Sequence, residues 1–110
     1  FVHGMLNIGE TMAPPLIREV KKHILPGKTN IIDAPPGTSC PVITAVQRSD
    51  FCLLVTEPTP FGLNDLILAV EVLRKIKIPF GVVINREGLG DSKTDDYCRR
   101  ENISVLMRIP

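Results

Sequence analysis

At 110 residues, with 44% apolar residues and a formal net charge of +1, the chain is one domain or a piece of one. Acid and base are mixed along it, so neither a nucleic-acid face nor a polybasic membrane surface is indicated, and no apolar run approaches a membrane span. Aromatic residues make up 5% and tryptophan is absent, which argues against stacking platforms for bases or sugars.

The opening Phe1-Val2-His3-Gly4 is neither a methionine start nor a signal peptide. It reads like a strand entered midway, so a piece of something longer is expected. Residues 1–6 read as that strand. Pro14-Pro15 can open a helix over 16–25, at positions where a missing N–H costs nothing, and Pro26-Gly27 stops it. Residues 30–34 form the next expected strand, which ends on Asp33 and turns through Pro35-Pro36-Gly37. Pro41 starts a helix over 42–48, with Ser39 or Cys40 near its cap. Phe51-Cys52-Leu53-Leu54-Val55 is an unbroken apolar run, the pattern of a strand covered on both faces. After a loop over 56–61, the clearest helix of the chain spans 62–76, with Leu63, Leu66, Ile67, Val70 and Leu73 as its stripe. Asp65 near its start and Arg74-Lys75 near its end suit the helix dipole. Pro79 opens a buried strand over 80–84, a loop follows over 85–93, then a helix over 94–102 and a last strand over 104–107.

Such alternation implies an α/β fold, a parallel Rossmann-like sheet with helices on both faces and right-handed crossovers. Ligands gather beyond the carboxyl ends of the strands in that architecture. The loops expected there are 33–39, 56–61 and 85–91, and they hold most of the unusual polar residues.

The turn after Asp33 is the most informative of the three. An apolar strand ending in Asp and turning at once through Pro-Pro-Gly presents a carboxylate and a bare backbone. P-loop nucleotidases need a carboxylate to orient Mg²⁺ through its water shell and a glycine N–H that can approach a γ-phosphate. Asp33 also suits a plain turn cap, and Gly37 an ordinary turn glycine. Thr38 and Ser39 suit phosphate contact or a helix N-cap. Cys40, Cys52 and Cys98 include no C-x-x-C pair, so no disulfide framework and no zinc or iron–sulfur signature is read. Cys52, inside an apolar run, reads as a small core residue. Reduced thiols without an export signal point to the cytoplasm.

Three segments, Asn30-Ile-Ile-Asp-Ala-Pro-Pro-Gly-Thr-Ser-Cys-Pro-Val42, Val55-Thr-Glu-Pro-Thr-Pro-Phe-Gly-Leu-Asn-Asp-Leu66 and Gly81-Val-Val-Ile-Asn-Arg86, together resemble the MinD/Mrp/ParA class of deviant-Walker P-loop ATPases. The MinD-superfamily ATPases with an inserted ferredoxin domain look closest. Residues 1–22 look like the segment after that insert, although Thr11-Met12-Ala13-Pro14 stands where the family has Ser-Gly. Neither the family's phosphate loop, K-G-G-x-G-K-[ST], nor its four-cysteine ferredoxin runs occur here. The resemblance therefore implies a single partial domain over 1–110, the C-terminal part of a P-loop ATPase core.

By that resemblance Asp33 is the switch II carboxylate that holds Mg²⁺ through water. Pro35, Pro36 and Gly37 form the turn that responds to the γ-phosphate, with Thr38 beside it. Asn85 hydrogen-bonds the adenine edge with its paired donor and acceptor, and Arg86 stacks on or flanks the base. A loop-capping asparagine is the alternative for Asn85. Glu57 and the 58–60 loop are read as rim, Asn64 and Asp65 as caps of the long helix, and His3 and His23 as histidines without a metal role. The implied cofactors are ATP and Mg²⁺, with 4Fe–4S clusters in the ferredoxin module of the same full-length chain.

The implied activity is ATP binding and hydrolysis coupled to that module, with a nucleotide-dependent homodimer formed through the strand-end loops, where Phe61, Leu63 and Leu89 are the apolar residues. Two rivals remain at the level of sequence. One is an ATP-switched scaffold or iron–sulfur carrier without significant turnover. The other is an ATP-dependent amidoligase of the cobyrinic acid type, which needs an added substrate domain.

Overall fold

A computed structural model describes residues 1–6, 13–34 and 36–110 of the chain. It divides into two compact units, Phe1–Gln47 and Arg48–Pro110. All the strands among the described residues lie in the second.

That second unit alternates strictly along the chain: β1 (Cys52–Thr56), α3 (Pro60–Lys75), β2 (Phe80–Asn85), α4 (Lys93–Arg100) and β3 (Val105–Ile109). The first unit holds the two preceding helices, α1 (Ala13–Lys21) and α2 (Cys40–Val46). The three strands run parallel in the order β1-β2-β3, as the α/β pattern requires. In register, Leu54 faces Val82 and Thr56 faces Ile84, so their side chains share one side of the sheet. Helices cover that side. Leu66, Val70, Val82, Ile84, Tyr97 and Cys98 form its core, with Leu54, Phe80, Ile103 and Val105 packed around them.

The long helix obeys its stripe. Leu66, Val70 and Leu73 are buried, and Leu63 and Ile67 pack against the core. Its start differs from expectation: the cap is Thr59, whose hydroxyl accepts from Gly62 N at 3.0 Å, with Pro60 in the first turn. Asn64 and Asp65 are exposed helix residues rather than caps. Both α3 and α4 end in the same way and without glycine. Ile78 N donates to Leu73 O at 3.1 Å and Lys77 N to Arg74 O at 3.2 Å, with Lys77 at φ 59°. Ile103 N donates to Cys98 O at 2.8 Å and Asn102 N to Arg99 O at 3.2 Å, with Asn102 at φ 55°. These paired bonds satisfy the last helix carbonyls and aim the chain into the next strand.

The expectation that β1 is covered on both faces fails. Leu53 and Val55 are 53% and 63% exposed, and only alternate residues face the helices. The second side of the sheet carries Leu53, Val55 and Leu106, the last lying over Gly81, where a Cβ would meet its side chain. Cys52 is half-buried, whereas Cys98 sits in the core; burial pushes both thiols up. The Thr94 hydroxyl is fully buried and has no hydrogen-bond partner.

In the first unit the expected strands over 1–6 and 30–34 do not form among the described residues. A strand needs a ladder partner, and neither run has one. The side chain of Asn30 instead clasps a loop: its carbonyl oxygen accepts from Leu25 N at 3.0 Å, while its amide donates to Leu25 O at 2.9 Å and Lys28 O at 2.8 Å. The helix expected over 16–25 ends at Lys21, because His23 N and Ile24 N donate three residues back, to Val20 O and Lys21 O. Lys21 Nζ reaches the carboxyl end of α2, donating to the carbonyls of Thr44, Ala45 and Gln47 at 3.2, 2.8 and 2.6 Å. Among the described residues, no helix is long and apolar enough to cross a membrane.

Candidate site at the strand ends

The carboxyl ends of β1 and β2 stand side by side, since Thr56 and Ile84 are the last paired residues there. Glu57 and Asn85 therefore follow each other across the ladder, and the two loops leave from the same edge. The sequence holds the first loop tightly. Thr56 is buried and its hydroxyl donates to Gly62 O at 2.9 Å, closing the turn onto α3. A Cβ at Gly62 would run into the carbonyl oxygen of Glu57, so only glycine permits this approach. The second loop presses on the first: a Cβ at Gly90 would collide with the carbonyl oxygen of Pro58.

Asn85 is half-buried and closes β2, its backbone still paired with Ile109. Glu87 N donates to Ile109 O at 2.8 Å, so the ladder continues past the turn, and Arg86 between them takes φ 55°. Lys77 and Asn102 use that conformation to end helices; Arg86 does not, and a left-handed non-glycine residue elsewhere stores strain of order 1–3 kcal/mol. Its guanidinium lies 3.4 Å from a Glu57 carboxylate oxygen. Both side chains are substantially exposed, so the pair contributes under about 1 kcal/mol to stability. Nearby, Arg108 pairs with Asp95 and lies 3.4 Å from Glu87, tying the end of β3 to the loop and to α4. At the far end of the loop, Lys93 N donates to Asp91 Oδ1 at 3.1 Å and holds the Asp91 carboxyl below the usual carboxylate range.

The other sequence-predicted residues lie in the first unit. Asp33 is exposed in a segment without regular secondary structure, Pro36 and Gly37 are exposed in a bend, and Thr38 is half-buried. Gly37 has φ 96°, a conformation that favours glycine. Pro35 lies outside the described residues, as do Thr11 and Met12, where the family pattern is broken. Ser39 takes the N-cap position of α2, and its side chain makes no cap bond.

The expected ligands can be tested against these donors. Asn85 offers both a donor and an acceptor at a half-buried strand end, which suits the edge of a nucleobase. No three His, Cys, Asp or Glu residues cluster as metal ligands among the described residues. The three cysteines are free, Cys40 exposed, Cys52 half-buried and Cys98 buried.

Sequence reasoning assigned Glu57 to a rim and missed its partner. The available signal was register: Val-Thr-Glu closes one apolar run and Val-Ile-Asn-Arg the next, so their last residues become neighbours. The packing of Gly90 left no local signal, because that glycine answers to the Pro58 carbonyl in a different loop.

No family model matches the chain, and no solved structure matches it. It is 40% identical to an uncharacterised protein of Methanocaldococcus jannaschii across 82% of its own length and 34% of that protein's. It is 39% identical to an iron–sulfur cluster carrier protein of Pyrococcus furiosus, covering 73% of this chain and 32% of the relative. A cytosolic Fe–S cluster assembly factor homologue of Nematostella vectensis is also 39% identical, over 53% of this chain and 24% of its own. The chain thus spans about a third of the length of the curated relatives it matches first. At a coarse level these matches agree with the resemblance drawn from the motifs: this is an α/β chain similar to proteins named for carrying and assembling iron–sulfur clusters.

Proposed function

We propose that the chain is the C-terminal part of the ATPase core of a MinD-like P-loop ATPase that works in an iron–sulfur context. The observation that carries this reading is the strand-end arrangement of Asn85, the last β2 residue paired with β3, and Arg86, which follows it at φ 55°. The names of the relatives support the iron–sulfur context.

In this reading Asn85 pairs with the adenine edge and Arg86 flanks the base. Asp33 orients Mg²⁺ through its water shell, and Gly37, with Pro35, Pro36 and Thr38, forms the turn that answers the γ-phosphate. Mg²⁺ supplies charge neutralisation on the phosphates; this chain's residues bind, orient and exclude water. No described residue stands out as a strong general base, so acceleration comes from positioning and charge stabilisation. Phe61 and Leu89 are exposed beside the strand-end loops and suit a nucleotide-dependent contact between two copies. Leu63 does not join them, because it packs against the core.

The test uses the intact protein. Leaving adenine's buried donor and acceptor unpaired costs about 1–3 kcal/mol, so Asn85→Ala should weaken ATP roughly tenfold to a hundredfold. Pyrophosphate should bind nearly as before. Equal losses for both ligands in a calorimetric titration would make Asn85 a structural cap and end the proposal.

A second reading is favoured by the relatives' printed names: an ATP-switched iron–sulfur carrier in which turnover is incidental. It predicts nucleotide-dependent cluster transfer with little hydrolysis, measurable as phosphate release beside transfer to an apo-acceptor.

A further inference from the structure

The second side of the sheet is apolar and bare. Leu53 stands opposite Gly81 and Val55 opposite Val83 in the ladder, so all four share the side that α3 and α4 leave uncovered. Met107 joins them through its pairing with Val83, and Leu106 lies over Gly81. Val83 is buried at the centre, while Leu53, Val55, Leu106 and Met107 around it are all more than half exposed. No side chain on this side carries a charge. Arg108, the one charged residue in the three strands, stands opposite Ile84 in the ladder, on the helix-covered side. A sheet face that meets water alternates apolar with polar residues; parallel sheets, which take helices on both faces, do not.

Handedness restricts where a cover can come from. Right-handed crossovers that step from β1 to β2 to β3 put both helices on one side, and α3 and α4 obey this. A helix reaches the other side from a connection that steps across the sheet in the opposite direction, which needs further strands. The outer edge of β1 suits them. Cys52–Thr56 holds neither a charge nor a proline, the devices that blunt a free edge, whereas β3 carries Arg108. The relatives leave ample polypeptide for this, since the chain matches 34% and 33% of the two Methanocaldococcus jannaschii proteins. We infer that polypeptide of the same protein outside residues 1–110 packs at least one helix on Leu53, Val55, Leu106 and Met107, entering from strands beyond the outer edge of β1. This goes beyond the nucleotide reading and holds whatever the strand-end loops bind.

The experiment uses the intact protein, with photo-methionine in place of methionine and heavy-isotope copies mixed with light ones before irradiation. Cross-linked peptides that contain Met107 should join residues outside 1–110, and each should carry a single isotope label. Mixed-isotope pairs would assign the face to a second copy, and pairs confined to residues 1–110 would leave no outside cover; either result overturns the inference. Hydroxyl-radical labelling reads the same face in the natural sequence. Leu53, Val55 and Leu106 should react much more slowly than Leu68, an exposed residue of α3, and equal rates would mean that nothing covers them. Leu53→Lys sets a charge into the proposed contact and should lower the melting temperature of the intact protein by about 5 °C or more. A melt that matches the natural sequence overturns the inference, because a solvent-facing position tolerates lysine.

Discussion

The two units of this chain contain comparably apolar segments yet use them differently. In Arg48–Pro110 three apolar runs meet in a parallel ladder and two helices cover one side, so Val70 and Val82 are fully buried. Among the described residues of Phe1–Gln47, the runs over 1–6 and 30–34 meet no strand, α1 buries no residue completely, and only Ala45 and Val46 are buried. Hydrophobicity is similar; closure of backbone hydrogen bonds separates them. The second unit is held by a core, the first by polar clasps, Asn30 on its loop and Lys21 on the end of α2.

If that contrast is right, truncating the core should have the largest effect. Ile84 is 1% exposed, and Ile84→Ala should cost about 2–5 kcal/mol, the range for emptying a packed aliphatic site. Ile17 is only half-buried in α1, and Ile17→Ala should cost under about 1 kcal/mol. Hydrogen exchange read separately over the two units measures both. Similar losses would erase the distinction between core-held and clasp-held regions.

A clasp should matter more in the first unit than its exposure suggests. Lys21→Met keeps much of the stem and removes the ammonium that three carbonyls share, at a cost of about 1–3 kcal/mol. Amide exchange in α2 should accelerate while exchange in β2 stays constant. Unaltered protection in α2 would show that its carboxyl end is satisfied without Lys21.

The smallest effect concerns the helix ends of the second unit. Lys77 occupies a left-handed position at φ 59°, and Lys77→Gly should stabilise by up to about 1 kcal/mol, offset in part by the freer unfolded chain. A thermal melt that falls by several degrees would mean the lysine side chain, and not the paired backbone bonds, sets that turn.

Much of the second unit was legible in the sequence because its signals are local. Five apolar residues at helical spacing define α3 whatever surrounds it, and the Pro79 strand follows from an apolar run between breakers. The start of α3 was misjudged because Asn64 and Asp65 are good capping residues by type, while Thr59-Pro60 fits by geometry. One-sided burial of β1 was not legible, since an unbroken apolar run reads the same whether one face or both are covered. The strands expected over 1–6 and 30–34 failed for a non-local reason: no composition can state whether a partner edge is present. At the site, Asn85 and Arg86 stood out as polar residues ending a buried strand. The pairing of Arg86 with Glu57 did not, because it depends on register between strands far apart in sequence.

Sheet order carries a consequence for how the chain is made. Because β1, β2 and β3 neighbour one another in the order in which they are synthesised, each new strand adds at a single growing edge. No earlier pair must be pried apart to admit a later one. A ribosome-bound chain can therefore close β1 on β2 around α3 before β3 has left the exit tunnel, and the last strand finds its template already waiting.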